Sequence, residues 1–213
     1  MATSVGSGPL GETASGDLPV AWMSRLTAVR HEPDPAGAAP GADDLDAILT
    51  VAASVPDHGR LRPWRFVVVE GTGRERWADA LEAGLVSRSA DPPSPGAVAK
   101  MRGKAVAAPC AVVLVSSPDR TSTVALWEQE ASAACTGYAV VLAATGLGYG
   151  AVWKSASVLE SEPVRRFFGL AEGERLLGWV NLGSPAPLGR AKADRPADAA
   201  RQALEGKVRR IAG

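Results

Sequence analysis

Cysteine and histidine are scarce in this chain, with two of each in 213 residues. Cys110 and Cys135 sit in apolar runs, and no CxxC or Cys/His pair accompanies them. That argues against a zinc site, and no metal is expected. Two cysteines in a chain this long suit a reducing compartment, not a disulfide framework. Both are expected to be buried free thiols. Charge of one sign is also not in excess, because 23 basic residues face 23 acidic ones. The balance removes any broad electrostatic case for nucleic acid or an anionic membrane, so anion binding must be local. Long apolar runs are missing as well. Ala139–Ala144 is far short of the roughly 20 residues that span a bilayer. The first twenty residues lack a basic start followed by an apolar core, so no secretory signal is read there. A soluble, cytoplasmic protein is expected. Gly-x-Ser-x-Gly does not occur, which removes the serine nucleophile elbow.

What remains is enough for a core. The hydrophobic fraction is 46%, ordinary for a globular protein. The length suits one domain. Residues 1–20 are rich in Gly, Ser, Thr and Pro and read as a flexible extension. Residues 21–190 read as the domain, and 191–213 as a tail that includes a charged surface helix over Ala197–Ile211. Within the domain, Ala21–Arg30 has helical spacing at Trp22, Met23, Leu26 and Val29. A second helix starts at Asp43 and Asp44, whose charges suit the positive end of a helix. It stops near Ser54, before Pro56.

Four runs read as strands. Phe66–Val69 and Ala111–Val115 are continuous and β-branched, as for strands buried on both faces. Gly150–Trp153 and Leu176–Leu182 are the others. Between them, helices are expected after Gly73 (Trp77, Leu81 and Leu85 four apart), over Ala97–Val106, over Glu128–Leu147 and over Glu160–Phe168. The Glu128–Leu147 segment is apolar around most of its circumference, as in a central helix or a subunit interface. Alternating helices and buried strands make the fold α+β or α/β.

Two stretches carry the chemistry. PDHGRLRPWRFVVVE, residues 56–70, is a polar turn leading into a buried strand. WEQEASAACTGYAVVLAATGLGYGAVWKS, residues 127–155, is a helix, a Gly-rich turn and a strand ending in Trp153-Lys154-Ser155. Gly146, Gly148 and Gly150 permit close backbone approach to a flat ligand. Gly-Leu-Gly-Tyr-Gly is not a dinucleotide fingerprint, because it follows a helix and precedes a strand. Glu128 and Glu130 read as a charged first helical turn.

Both stretches resemble the FMN-dependent nitroreductase family, most closely its small YdjA-like branch. The resemblance implies an α+β fold, an α/β/α sandwich with a mixed central sheet, in an intertwined homodimer with FMN between subunits. It implies two-electron transfer from NAD(P)H, through FMN, to a nitroaromatic, quinone or enone. The flavin carries the chemistry, so no catalytic side chain is assigned. His58 and Arg62 match the loop that packs beside the partner's flavin, with Ser54 near it. Trp153, Lys154 and Ser155 match the strand end that runs along the ring. The family's paired phosphate-binding arginines correspond here to Arg30 and His31, with Asp34 near a later basic position. His31 replaces a fixed guanidinium with a group whose ordinary pKa is about 6.5; Lys154, Arg190 or Lys192 are candidates to compensate. This departure keeps a second reading open: an altered relative that binds or sequesters flavin, or a deazaflavin-like ligand, without turnover.

Overall fold

The computed structural model describes residues 35–185, 206–209 and 211. Residues 35–185 belong to one compact unit, Arg30–Asp194, and the others to a second unit made of the two terminal segments. All named elements lie in the first. The expected helix over Ala21–Arg30 lies outside the described residues. Of the expected helix over Ala197–Ile211, the described part is not helical. Gly206 begins a turn there, at φ +69°.

In chain order the elements are α1 (Ala42–Ala53), a 3-10 turn (His58–Arg60), β1 (Trp64–Glu70), α2 (Gly73–Arg88), α3 (Pro95–Val106), β2 (Cys110–Ser116), α4 (Leu126–Gly146), β3 (Gly150–Lys154), α5 (Glu162–Phe167) and β4 (Arg175–Gly183). The sheet order is β1-β2-β4-β3. All three pairings are antiparallel. The class expected from sequence, α+β, is the one observed, but the expected mixed sheet is antiparallel throughout the described residues.

β2 shows why the sheet is covered on both sides. All seven of its residues are buried. Ala111, Val113 and Val115 join the core cluster with Trp77 and Leu81 of α2 and Val164 of α5. The alternate residue Leu114 points the other way, against α4 at Gly137, as the two-residue strand period requires. A continuous apolar run thus serves two cores at once. Trp77 anchors the first, edge-on to Trp179 at 4.9 Å and to Phe168 at 5.8 Å between ring centroids.

β1 departs from expectation. It was read as buried on both faces, yet only Val69 is buried and residues 64–68 are half-buried. It pairs with β2 alone, so it is an edge strand among the described residues. α4 departs too. One side is buried through Gln129, Ser132, Ala133, Thr136, Gly137, Val140, Val141 and Ala144. The other side leaves Trp127, Ala131, Cys135 and Tyr138 exposed. Cys135 is therefore not the buried thiol expected; Cys110 is, and burial pushes its pKa up to about 11.

Two glycines set the position of β3. A Cβ on Gly137 would lie 2.7 Å from Cη2 of Trp153. Gly178, at φ +125°, sits at an irregularity in the β2–β4 register, and a Cβ there would strike the Lys154 carbonyl oxygen and lie 2.7 Å from Nε1 of Trp153. Both gaps admit the Trp153 indole, whose Nε1 donates to the Leu177 carbonyl at 3.3 Å.

Candidate functional site

A cleft of about 280 Å³ opens between α3, the end of β3 and the middle of β4. Lys100, Lys104, Lys154, Ser155, Trp179 and Asn181 line it, with Gly103 and Ala107. Lys100 and Lys104 are four apart on a helix, so they share a face. The third lysine arrives because β3 ends there. Lys104 Nζ donates to the Ser155 carbonyl at 3.0 Å and ties α3 to the end of β3. Burial holds the Lys104 pKa below the ordinary lysine value, and the Lys100 and Lys154 ammoniums push it the same way. Trp179 is 1% exposed, and its Nε1–H has no hydrogen-bond partner. Three like charges gathered at one cleft make it attractive to an anion.

A second cationic feature lies in the loop 56–63. Gly59, Arg60 and Arg62 have φ of +79°, +55° and +48°. Left-handed backbone at a non-glycine residue costs on the order of 1–2 kcal/mol. The loop is held there by several bonds. Asp57 Oδ1 accepts from the backbone N–H of Leu61 at 2.5 Å and of Arg62 at 3.2 Å. The Pro63 carbonyl accepts from Ser117 N–H at 2.9 Å. The Ser132 hydroxyl on α4 donates to the Pro56 carbonyl at 3.4 Å. His58 Nδ1 pairs with Glu128 Oε2 at 2.9 Å. Arg60 and Arg62 are exposed, so the strained backbone presents two guanidiniums to solvent.

The residues singled out from sequence fall in three places. Lys154 and Ser155 line the cleft. Trp153, between them and the turn, points to the opposite face of the sheet and packs under α4. His58 and Arg62 share the strained loop; Ser54 sits before it, with its hydroxyl turned back to the Val51 carbonyl at 2.7 Å. Arg30 and His31 lie outside the described residues, as do Asp34, Arg190 and Lys192. Sequence reasoning missed Lys100, Lys104, Trp179 and Asn181. The i,i+4 lysines of α3 were the available signal, since like charges at that spacing repel on an isolated helix. Glu128, read as a helix-turn charge, is the partner of His58. Among the described residues no group of His, Cys, Asp and Glu could hold a metal ion, and no helix is long and apolar enough to cross a membrane.

Comparison with known proteins bears on the same segments. The family model described as the nitroreductase family matches residues 38–184. This chain belongs to the nitroreductase family. The Escherichia coli K12 protein YdjA, named an NAD(P)H nitroreductase by inference, is 37% identical over 147 residues, 69% of this chain and 79% of that one. A nitroreductase-like family protein from Bacillus cereus superposes with TM-score 0.71 at 22% identity, covering 95% of this chain and all of that one. The FMN-dependent nitroreductase NfnB of Mycobacterium smegmatis, solved with NADPH, gives 0.67 at 17% identity, covering 91% and 99%. At these identities the two structures speak for the fold.

Proposed function

We propose that this nitroreductase-family protein is an FMN-dependent oxidoreductase that moves two electrons from NAD(P)H to a nitroaromatic, quinone or enone. The observation that carries the reading is the cleft: three lysines beside the Lys154–Ser155 strand end. These groups fit an anionic, planar cofactor rich in acceptor atoms. The flavin, when bound, supplies hydride chemistry that no side chain here can perform.

The chain's own residues bind and orient. Lys104 and Lys154 offset the cofactor's negative charge, and partial burial makes each contact stronger than in water. Ser155 offers backbone groups at the strand end. Trp153 acts as a positioning residue, because its indole wedge fixes β3. Arg30 and His31 are assigned to the phosphate, as the family pattern implies. His58 and Arg62 are assigned to the flavin of a second chain, and the His58–Glu128 pair holds the loop in place for that contact.

A homodimer is part of this reading. Trp127 is 71% exposed and Tyr138 50% exposed. With Ala131 and Cys135 they run along one side of α4, spaced for a helix face. A second copy of the same face is the occupant that supplies matching apolar surface.

Addition of NADH or NADPH to the flavin-loaded protein without oxygen tests the activity. Rapid loss of the flavin's visible absorption band, restored by a nitroaromatic or quinone, is the expected result. Retained flavin that neither donor bleaches would support the sequestering relative instead.

A further inference from the structure

The lysine cleft has a property that flavin binding does not require. Lys104 lies on α3 with Nζ against the Ser155 carbonyl and is half-buried, as Lys154 is, while Lys100 is exposed; both other ammoniums act on it across the cleft. We propose that Lys104 is an acyl-acceptor site for small acyl phosphates, with Lys100 and Lys154 holding the phosphate group. Nothing in this proposal depends on the flavin.

A protonated lysine is not a nucleophile, and one placed near other cations and partly removed from water releases its proton more readily. Lys104 has both features, and its pKa is lowered by burial first and then by its two neighbours. The same neighbours attract an anionic reagent to the cleft, which raises its local concentration. In the step itself, the neutral amine of Lys104 attacks the carbonyl carbon of the acyl phosphate. A C–N bond forms and the C–O bond to phosphate breaks. Phosphate leaves with the electron pair, and the amine's proton passes to solvent. The product amide has lost its charge and its ability to offset an anion. Acylation therefore lowers the cleft's positive charge by one.

The test uses the full chain, dialysed free of small molecules, incubated with acetyl phosphate and sampled over time by peptide mass spectrometry. Lys207, which is exposed, is the internal reference. Lys104 is expected to gain acetyl at least about fivefold faster than Lys207. Inorganic phosphate is expected to slow Lys104 and leave Lys207 unchanged. The double substitution Lys100→Gln, Lys154→Gln is expected to bring the Lys104 rate down to that of Lys207. Equal rates at Lys104 and Lys207 in the unmodified chain would overturn the proposal. So would a Lys104 rate indifferent both to phosphate and to the double substitution.

Discussion

The cleft and the 56–63 loop both present positive charge, and they do so by opposite means. In the cleft the lysines ride on regular elements. Helix spacing brings Lys100 and Lys104 to one face, and a strand end delivers Lys154. No backbone strain is involved at these residues, and the cost is desolvation and mutual repulsion. In the loop, Arg60 and Arg62 remain in water and the cost is left-handed backbone. It is offset by Asp57, Ser132, Ser117 and the His58–Glu128 pair. A site on regular elements tolerates side-chain exchange but not displacement of its elements. A site on a strained loop tolerates relief of strain, while loss of its tethers lets the guanidiniums wander. Substitutions at the two places should therefore differ in kind.

The largest effect is expected where the cleft depends on close packing. Gly178→Ala places a methyl against the Lys154 carbonyl and the Trp153 indole at φ +125°. A loss of about 2–4 kcal/mol in stability is expected from urea unfolding, together with loss of flavin binding. A substitution that left both unchanged would mean that β3 is not held as described.

Next comes the tie that joins the start of β1, just after the loop, to the start of β4. Arg65 donates to both Glu174 oxygens at 2.8 and 2.7 Å, and the backbone N–H of Ala171 adds a third bond at 2.9 Å. The Arg65 bond holds the Glu174 carboxyl down at about 2, against the opposing effect of burial. Because the folded pKa lies below the unfolded one, the contribution is complete above about 4.5 and is lost as pH falls toward about 2. Glu174→Gln is expected to cost about 1.5–3 kcal/mol at neutral pH. The variant should also lack the part of the acid-side decline that this group causes. An unaltered stability–pH curve would show the pair to be inert.

Within the cleft, Lys104→Gln should reduce FMN affinity by about ten- to a hundredfold, the value of one charge-assisted contact, with little change in unfolding. The smallest effects belong to the loop. Arg60→Gly relieves the positive φ and is expected to raise stability by about 0.5–1 kcal/mol. His58→Ala removes an exposed bond to Glu128 and should cost under about 1 kcal/mol. An Arg60→Gly variant less stable than the parent would show that the loop is not strained.

The same contrast explains what the sequence made legible. β2 and the α2 repeat of Trp77 and Leu81 were readable, since burial writes itself into periodicity. The cleft was half-readable: Lys154 and Ser155 came through the family-like Trp-Lys-Ser ending, and Lys100 and Lys104 stood in plain i,i+4 spacing without a motif to mark them. Trp153 adjoins Lys154 in the sequence, yet alternation along the strand turns its indole to the face opposite the cleft. β1 was misread because its run of valines looks alike whether one or two neighbours flank the strand. The loop's strain was invisible, because arginine at φ +55° arises from tethers spread over Asp57, Ser117, Glu128 and Ser132, far apart in the chain. Cys135 was misjudged for a similar reason: an apolar run on α4 is covered on one side and exposed on the other.

Equilibrium dialysis of FMN against the purified protein, compared with the Lys104→Gln, Lys154→Gln double variant, tests the central claim most directly. About one flavin per chain is expected for the parent, and a loss of roughly two decades or more in affinity for the variant, with its unfolding curve nearly unchanged. A folded parent that binds no flavin, or a variant that binds it as tightly as the parent, would contradict the assignment of this cleft.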